Sequence, residues 1–173
     1  MIVVVSKKTI RESAPKITPI SLEMMVHALV NKQRHSYGLN LLKYDPALAI
    51  IARNHSMDMQ QHNYFSHTNR AGEDPTGRAN KRQYPCRREI GNRIYDGIAE
   101  NISQSTLYDS VTYVNSIPRY HWCTANDIVR TIVKGWMHSP GHRKNILTAR
   151  YEYEGIGVAI SDDGKIYTTQ NFF

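Results

Sequence analysis

Two histidines and one carboxylate have residue types and local settings that suit chemistry. His142 follows Ser139-Pro140-Gly141, just where an apolar helix face ends at Trp136. Ser139 reads as the N-cap of a new helix with Pro140 at its first position, which predicts His142 in the first turn. Free backbone N–H groups and the positive end of the helix dipole disfavour imidazolium there and leave a neutral ring able to take a proton or bind a cation. The same position also suits a histidine packed under the turn. Glu100 lies in Gly97-Ile98-Ala99-Glu100-Asn101-Ile102, between apolar neighbours. A carboxylate in that setting needs a histidine, a backbone N–H or a cation as partner. His67, in Phe65-Ser66-His67, falls just past a predicted helix end and before a polar loop with Gly72, Pro75 and Gly77.

The elements that must position these groups follow from hydrophobic period and caps. Residues 1–20, broken by Lys7, Lys8, Arg11, Pro15 and Pro19, read as an N-terminal arm without a core of its own. Ser21 is expected to cap a first helix that presents Leu22, Met25, Val26, Leu29 and Val30 and stops at Ser36-Tyr37-Gly38. Asp45-Pro46 starts a second, on which Leu48, Ala52, His55 and Met59 form one buried stripe, so His55 reads as a hydrogen-bonded core histidine. A short helix is expected over 76–83. The connection 103–125 is rich in Tyr108, Tyr113, Tyr120 and Trp122, with a hairpin expected between 111–115 and 119–124, and its length suggests a lid. Asn126 is expected to cap the helix carrying Ile128, Val129, Ile132, Val133 and Trp136. The segment 154–160 alternates glycine or alanine with branched residues, a strand with one nearly bare face that another backbone can approach. Asp162-Asp163-Gly164 turns it into a partner strand, 165–173, with Ile166, Thr168, Gln170 and Phe172 on one side. Helices early and strands late predict an α+β fold, an antiparallel sheet covered by helices.

The chain has 173 residues and 40% hydrophobic content, enough for one domain with its own core. Its net charge of +7 favours anionic partners such as lipid headgroups, cell-wall polymers or nucleic acid. Arg78, Arg82, Arg87 and Arg88, with Lys81 and Arg93, form a basic run and are candidate anion-binding residues. Only Tyr84 lies inside the run, so base stacking has little support and nucleic acid is a third-rank partner. Cys86 and Cys123 allow one disulfide without demanding it. The apolar opening 1–5 is too short for a signal-peptide core or a membrane span, so either the chain is cytosolic or its export signal lies outside this sequence. Repeats, low-complexity tracts, a phosphate loop and a serine or cysteine nucleophile motif are all missing from the sequence.

Taken in order, His55-Ser56-Met57-Asp58-Met59, Phe65-Ser66-His67, Glu100-Asn101-Ile102, Trp136 with Ser139-Pro140-Gly141-His142-Arg143-Lys144-Asn145-Ile146-Leu147, and Gly155-Ile156-Gly157-Val158-Ala159 resemble the CAP superfamily: cysteine-rich secretory proteins, antigen 5 and pathogenesis-related 1 proteins. The similarity is greatest to the microbial SCP-like branch and covers residues 21–173. It implies an α-β-α sandwich with a central antiparallel sheet, extracellular location, and a cleft lined by two histidines and two glutamates that can hold a divalent metal, often zinc. Matched by position, His67 and His142 are the metal-binding histidines and Glu100 the first glutamate, and these three would be the catalytic set of any hydrolase. The second glutamate is replaced by Ser139. Ser139 and Asn101 are expected at the cleft wall, and His138 is a reserve candidate although the helix period turns it away from the Trp136 face.

Two functions follow as expectations. One is a monomeric secreted binding module whose cleft takes a weakly held metal or a lipid, sterol or cell-wall ligand. The other is a metal-dependent, protease-like hydrolase in which His67 and His142 hold the cation and Glu100 serves as base or orienting group.

Overall fold

The computed structural model describes residues 14–173. In chain order the elements are α1 (Pro19–Ser36), β1 (Lys43–Tyr44), α2 (Pro46–His62), α3 (Pro75–Lys81), β2 (Arg87–Ile90), β3 (Arg93–Asp96), β4 (Ala99–Thr106), β5 (Tyr108–Val114), β6 (Ile117–Trp122), α4 (Ala125–His138), α5 (Pro140–Ile146), β7 (Tyr153–Ile160) and β8 (Lys165–Phe172). The central sheet runs β1-β7-β8-β4. Its long pairs are antiparallel, while the two-residue β1 joins β7 in parallel. The hairpins β2-β3 and β5-β6 stand apart from it.

The sheet is sandwiched between helices, and strand alternation decides which residue meets which layer. Ile156 and Val158 of β7 and Ile166 and Phe172 of β8 face α1 and α4, where they pack with Leu22, Val26, Ile128, Ile132 and Trp136 in the main core. The opposite face carries Gly155 and Gly157. A Cβ at Gly157 would stand 2.0 Å from the Arg53 backbone nitrogen, and one at Gly155 2.2 Å from that of Ala49. The bare strand face therefore lets the backbone of α2 lie directly on β7. Ser56 of α2 closes the contact by donating to the Gly157 carbonyl at 2.9 Å.

Several expected boundaries move. Thr18, not Ser21, caps α1, because Pro19 already supplies the first helical position; Ser21 instead donates its own N–H to the Thr18 hydroxyl. Thr124, not Asn126, caps α4 through a capping box with Asp127. Ala14 and Ile17, in the last part of the expected N-terminal arm, pack against the main core; residues 1–13 of that arm lie outside the described residues.

The aromatic connection is not a lid over the histidines. β5 and β6 pair with each other in a hairpin whose base stacks Tyr120 on Trp122, with Tyr108 edge-on to both. That base sits beyond Thr106, the far end of β4 from Glu100, about 20 Å away at the rise of an extended strand.

Cys86 and Cys123 are both free thiols, packed against different core clusters, and burial raises the pKa of each. Among the described residues no helix is long and apolar enough to cross a membrane.

Candidate functional site

β4 is an edge strand, so its two faces present residues to opposite helical layers at one open border of the sheet. Glu100 points to the α2 side and Asn101 to the α5 side, a consequence of the two-residue period of the strand. The loop after α2 brings His67 to this border from one layer, and α5 brings His142 from the other.

His67 Nδ1 lies 2.9 Å from Glu100 Oε1 and donates to it, leaving Nε2 as the ring's lone-pair nitrogen. The other carboxylate oxygen, Oε2, accepts from Arg78 Nη2 at 2.5 Å. Arg78 Nη1 in turn donates to the backbone carbonyls of His67 and Glu73. One guanidinium therefore fixes both the loop that carries His67 and the carboxylate that orients its ring. The Glu100 side chain is 1% exposed and that of His67 49%, so the acid is hidden and the imidazole is presented to solvent. His55 also reaches this acid from behind, its Nε2 3.9 Å from Glu100 Oε1 while donating to the Ser66 carbonyl at 2.9 Å.

His142 lies across a hollow of about 450 Å³ from His67, with Glu100, Ser139, Asn145, Arg150 and Tyr151 also at its wall. Its pKa is lowered, first by burial and then by the neighbouring His67, which favours the neutral ring. Beneath it, Asn101 is fully buried and donates its amide to the His142 carbonyl and to Gln170 Oε1. Asn145 bonds the Glu100 carbonyl and Asn101 Oδ1. Amides thus stitch α5 to β4. Arg34, wholly buried, holds the far end of the same segment by donating to the carbonyls of Ile146 and Thr148.

His67, Glu100 and His142 thus share one hollow, and Ser139 lines it. Ser139 occupies the N-cap position of α5, yet its hydroxyl makes no capping hydrogen bond. Asn101 supports the hollow from below rather than lining it. His138 is exposed, binds the Lys134 carbonyl, and borders a separate surface depression with Tyr37 and Arg143. It does not reach the cleft, because the helix turns it outward.

The basic run is not one surface. Arg78 is 7% exposed and consumed by Glu100, so it is not an external anion contact. Arg88 pairs with Glu152 at 2.5 Å and lies over the Phe173 ring. Arg82 and Arg87 are exposed. Sequence reasoning missed Arg78 as the cation Glu100 requires, although it did state that a cation or histidine was needed; both are present. It also missed Arg150, which lies over the rings of Tyr95 and Tyr151.

For a metal, the donor set is two imidazoles. Among the described residues no group of three or more histidine, cysteine or acidic side chains is placed to hold an ion, because both Glu100 oxygens are already committed. One exposed and one half-buried imidazole fit a weak, water-completed site and do not fit a closed four-ligand one.

Comparison with known proteins gives the family. The chain is 29% identical over 168 residues to the uncharacterized membrane protein YlbC of Bacillus subtilis, covering 97% of this chain and 39% of that one. It is 27% identical over 165 residues to the uncharacterized protein YkwD of the same organism, covering 95% and 52% respectively. The chain thus spans about half or less of these relatives' length. A solved extracellular protein containing an SCP domain, from Bacillus anthracis, superposes with a TM-score of 0.65 at 25% identity, over 90% of this chain and 41% of that one. The model of the CAP family, described as the cysteine-rich secretory protein family, matches residues 27–172, and with the sandwich and its edge-strand hollow this makes the chain a member of the CAP family.

Proposed function

We propose that this CAP domain is an extracytoplasmic binding module whose His67–His142 hollow takes a weakly held divalent cation or a small ligand that bridges the two rings. The observation that carries the reading is the chain Arg78–Glu100–His67: a buried, charge-paired carboxylate fixes the tautomer and direction of an exposed imidazole, as carboxylates do behind metal-binding histidines. His67 Nε2 and a neutral His142 would be the ligating groups, and a bound cation would supply a Lewis-acidic point for an anionic ligand. The likeness to an extracellular SCP-domain protein supports location outside the cytoplasm.

The hydrolase reading has less support. Glu100 is buried and both its oxygens are used, so among the described residues no uncommitted carboxylate faces the hollow to take a proton from water, and Ser139 stands where a second would be.

Calorimetric titration with zinc, nickel and copper in a weakly coordinating buffer tests the proposal. Binding is expected in the parent chain and reduced by at least about tenfold in His67→Ala, in His142→Ala and in Glu100→Gln. Equal binding in all four proteins overturns it. Peptide or ester turnover that vanishes in Glu100→Gln while metal is retained replaces it with the hydrolase.

A further inference from the structure

Beside the histidine hollow, where the start of β4 meets the β2-β3 hairpin, lies a narrow slot of about 160 Å³. Its apolar walls are Ile90 and Tyr95 of the hairpin, Tyr151 of the loop before β7 and Phe173 after β8. Arg150 and Tyr151 border both the slot and the hollow, so the two spaces adjoin there. The walls are reachable from solvent: Ile90 is 38% exposed, and Tyr95, Tyr151 and Phe173 are half-buried. Ring contacts brace two of them, since Tyr151 stacks on Phe172 with centroids 5.4 Å apart and Phe173 stands edge-on to Tyr84 at 5.6 Å. A slot of this size is too small for a whole ligand, small-molecule sites starting at about 300 Å³, but it suits one ring of a larger one, in offset or edge-on contact with its walls.

The charge at this junction is Arg150. Its guanidinium carbon lies 4.9 Å from the centroid of Tyr95 and 4.8 Å from that of Tyr151, and Nη2 donates to the Tyr151 hydroxyl at 3.2 Å. The two rings hold it in place, yet that hydrogen bond uses only one of its five N–H groups, and among the described residues no carboxylate pairs with it. The other charges at the slot differ: Arg88 is held by Glu152 at 2.5 Å, and Asp96 lies opposite Arg87 in the register of the hairpin. The junction therefore offers a fixed cation with donors to spare, next to an aromatic slot.

We propose that the slot and the hollow together take a short carboxylic acid bearing one aromatic ring, the ring lodged among Tyr95, Tyr151 and Phe173 and the carboxylate paired with Arg150 toward the hollow. The inference rests on the reading of the hollow as a binding site and names the class of its ligand. A free aromatic acid and the last residue of a peptide ending in phenylalanine or tyrosine share this chemistry.

The test titrates the whole chain with 3-phenylpropionate, propionate, 3-phenylpropanamide, octanoate and the peptide Gly-Gly-Phe while backbone amide NMR shifts are followed. Saturable shifts in 87–99, 148–153 and 173, with 3-phenylpropionate or Gly-Gly-Phe at least about tenfold tighter than propionate or the amide, support the site, and the tighter of the two names the source. Arg150→Gln, a surface change, is expected to erase the preference for acid over amide while the amide still binds, a result that mere loosening of the loop would not give. Tyr95→Ala is expected to weaken the acid and the amide alike. The amide binding as tightly as the acid, octanoate binding as tightly as 3-phenylpropionate, an unchanged preference in Arg150→Gln, or no response to any probe overturns the inference. Zinc titration of the same sample keeps the two readings apart: zinc binding without a response to the acid overturns the inference alone, and acid binding without zinc binding overturns the metal reading and leaves the inference standing.

Discussion

Arg78 Nη2 and Glu100 Oε2 meet at 2.5 Å with both side chains almost wholly inside the protein. Glu100 also reaches the wall of the histidine hollow, whereas Arg78 does not. Removing one member strands the other charge in a poorly solvated place. Arg78→Met is therefore expected to cost about 3–5 kcal/mol in urea unfolding. Combining it with Glu100→Gln should recover part of that loss, and a double change no more stable than Arg78→Met would show that Glu100 is not the partner that matters.

Ser139 borders the hollow, and its hydroxyl is not spent on the α5 cap. Ser139→Glu would place a carboxylate beside His67 and His142 at little cost to the helix. Zinc affinity is expected to rise by about tenfold or more, since a third charged ligand joins two neutral ones. Unchanged affinity by calorimetry would show that this position does not face the ligand.

Acid stability follows from the histidines. Both His55 and His142 have pKa values pushed below the ordinary 6.5, in each case first by burial. Between the folded and unfolded values the unfolded chain binds more protons, so stability rises with pH across that window. It is expected to be full above 6.5 and to fall as the pH drops below it, levelling off under the folded values. His55→Gln should flatten the slope of the denaturation midpoint against pH. A slope equal to the parent's would assign the effect elsewhere.

Two glycines separate close packing from conformational freedom. Gly157→Ala would drive a methyl into the Arg53 backbone and is expected to lower stability by several kcal/mol or prevent folding. Gly135, in α4, has nothing within 4 Å of its would-be Cβ, so Gly135→Ala should stabilise by about 0.5–1 kcal/mol. Thermal melts of both variants check the contrast.

What the sequence made legible was local. The Asp45-Pro46 cap, the stripe from Leu48 to Met59, the bare face of Gly155 and Gly157 and the apolar side of α4 all depend on neighbours within a few residues or on a strand's period. Family resemblance then brought His67, Glu100 and His142 together, which no period could do. The buried charges stayed hidden, because their partners are remote in the chain. Glu23 of α1 binds Arg53 of α2 and the Val158 N–H, Glu154 binds His27 and Gln170, and Arg34 reaches across to the end of α5. Arg78 cannot be told from surface charge in the sequence for the same reason: a basic run gives no sign of which member folds inward. The length of the 103–125 connection suggests a lid, but length does not say at which end of β4 a hairpin hangs.

The stitching of α5 to β4 by Asn101 and Asn145 has a consequence for the spacing of the two imidazoles. Amide groups carry no net charge and do not titrate, so the clamp beneath His142 is indifferent to brine and to acid. The scaffold that sets the distance between the two rings therefore stays put when salt or acidity changes around it.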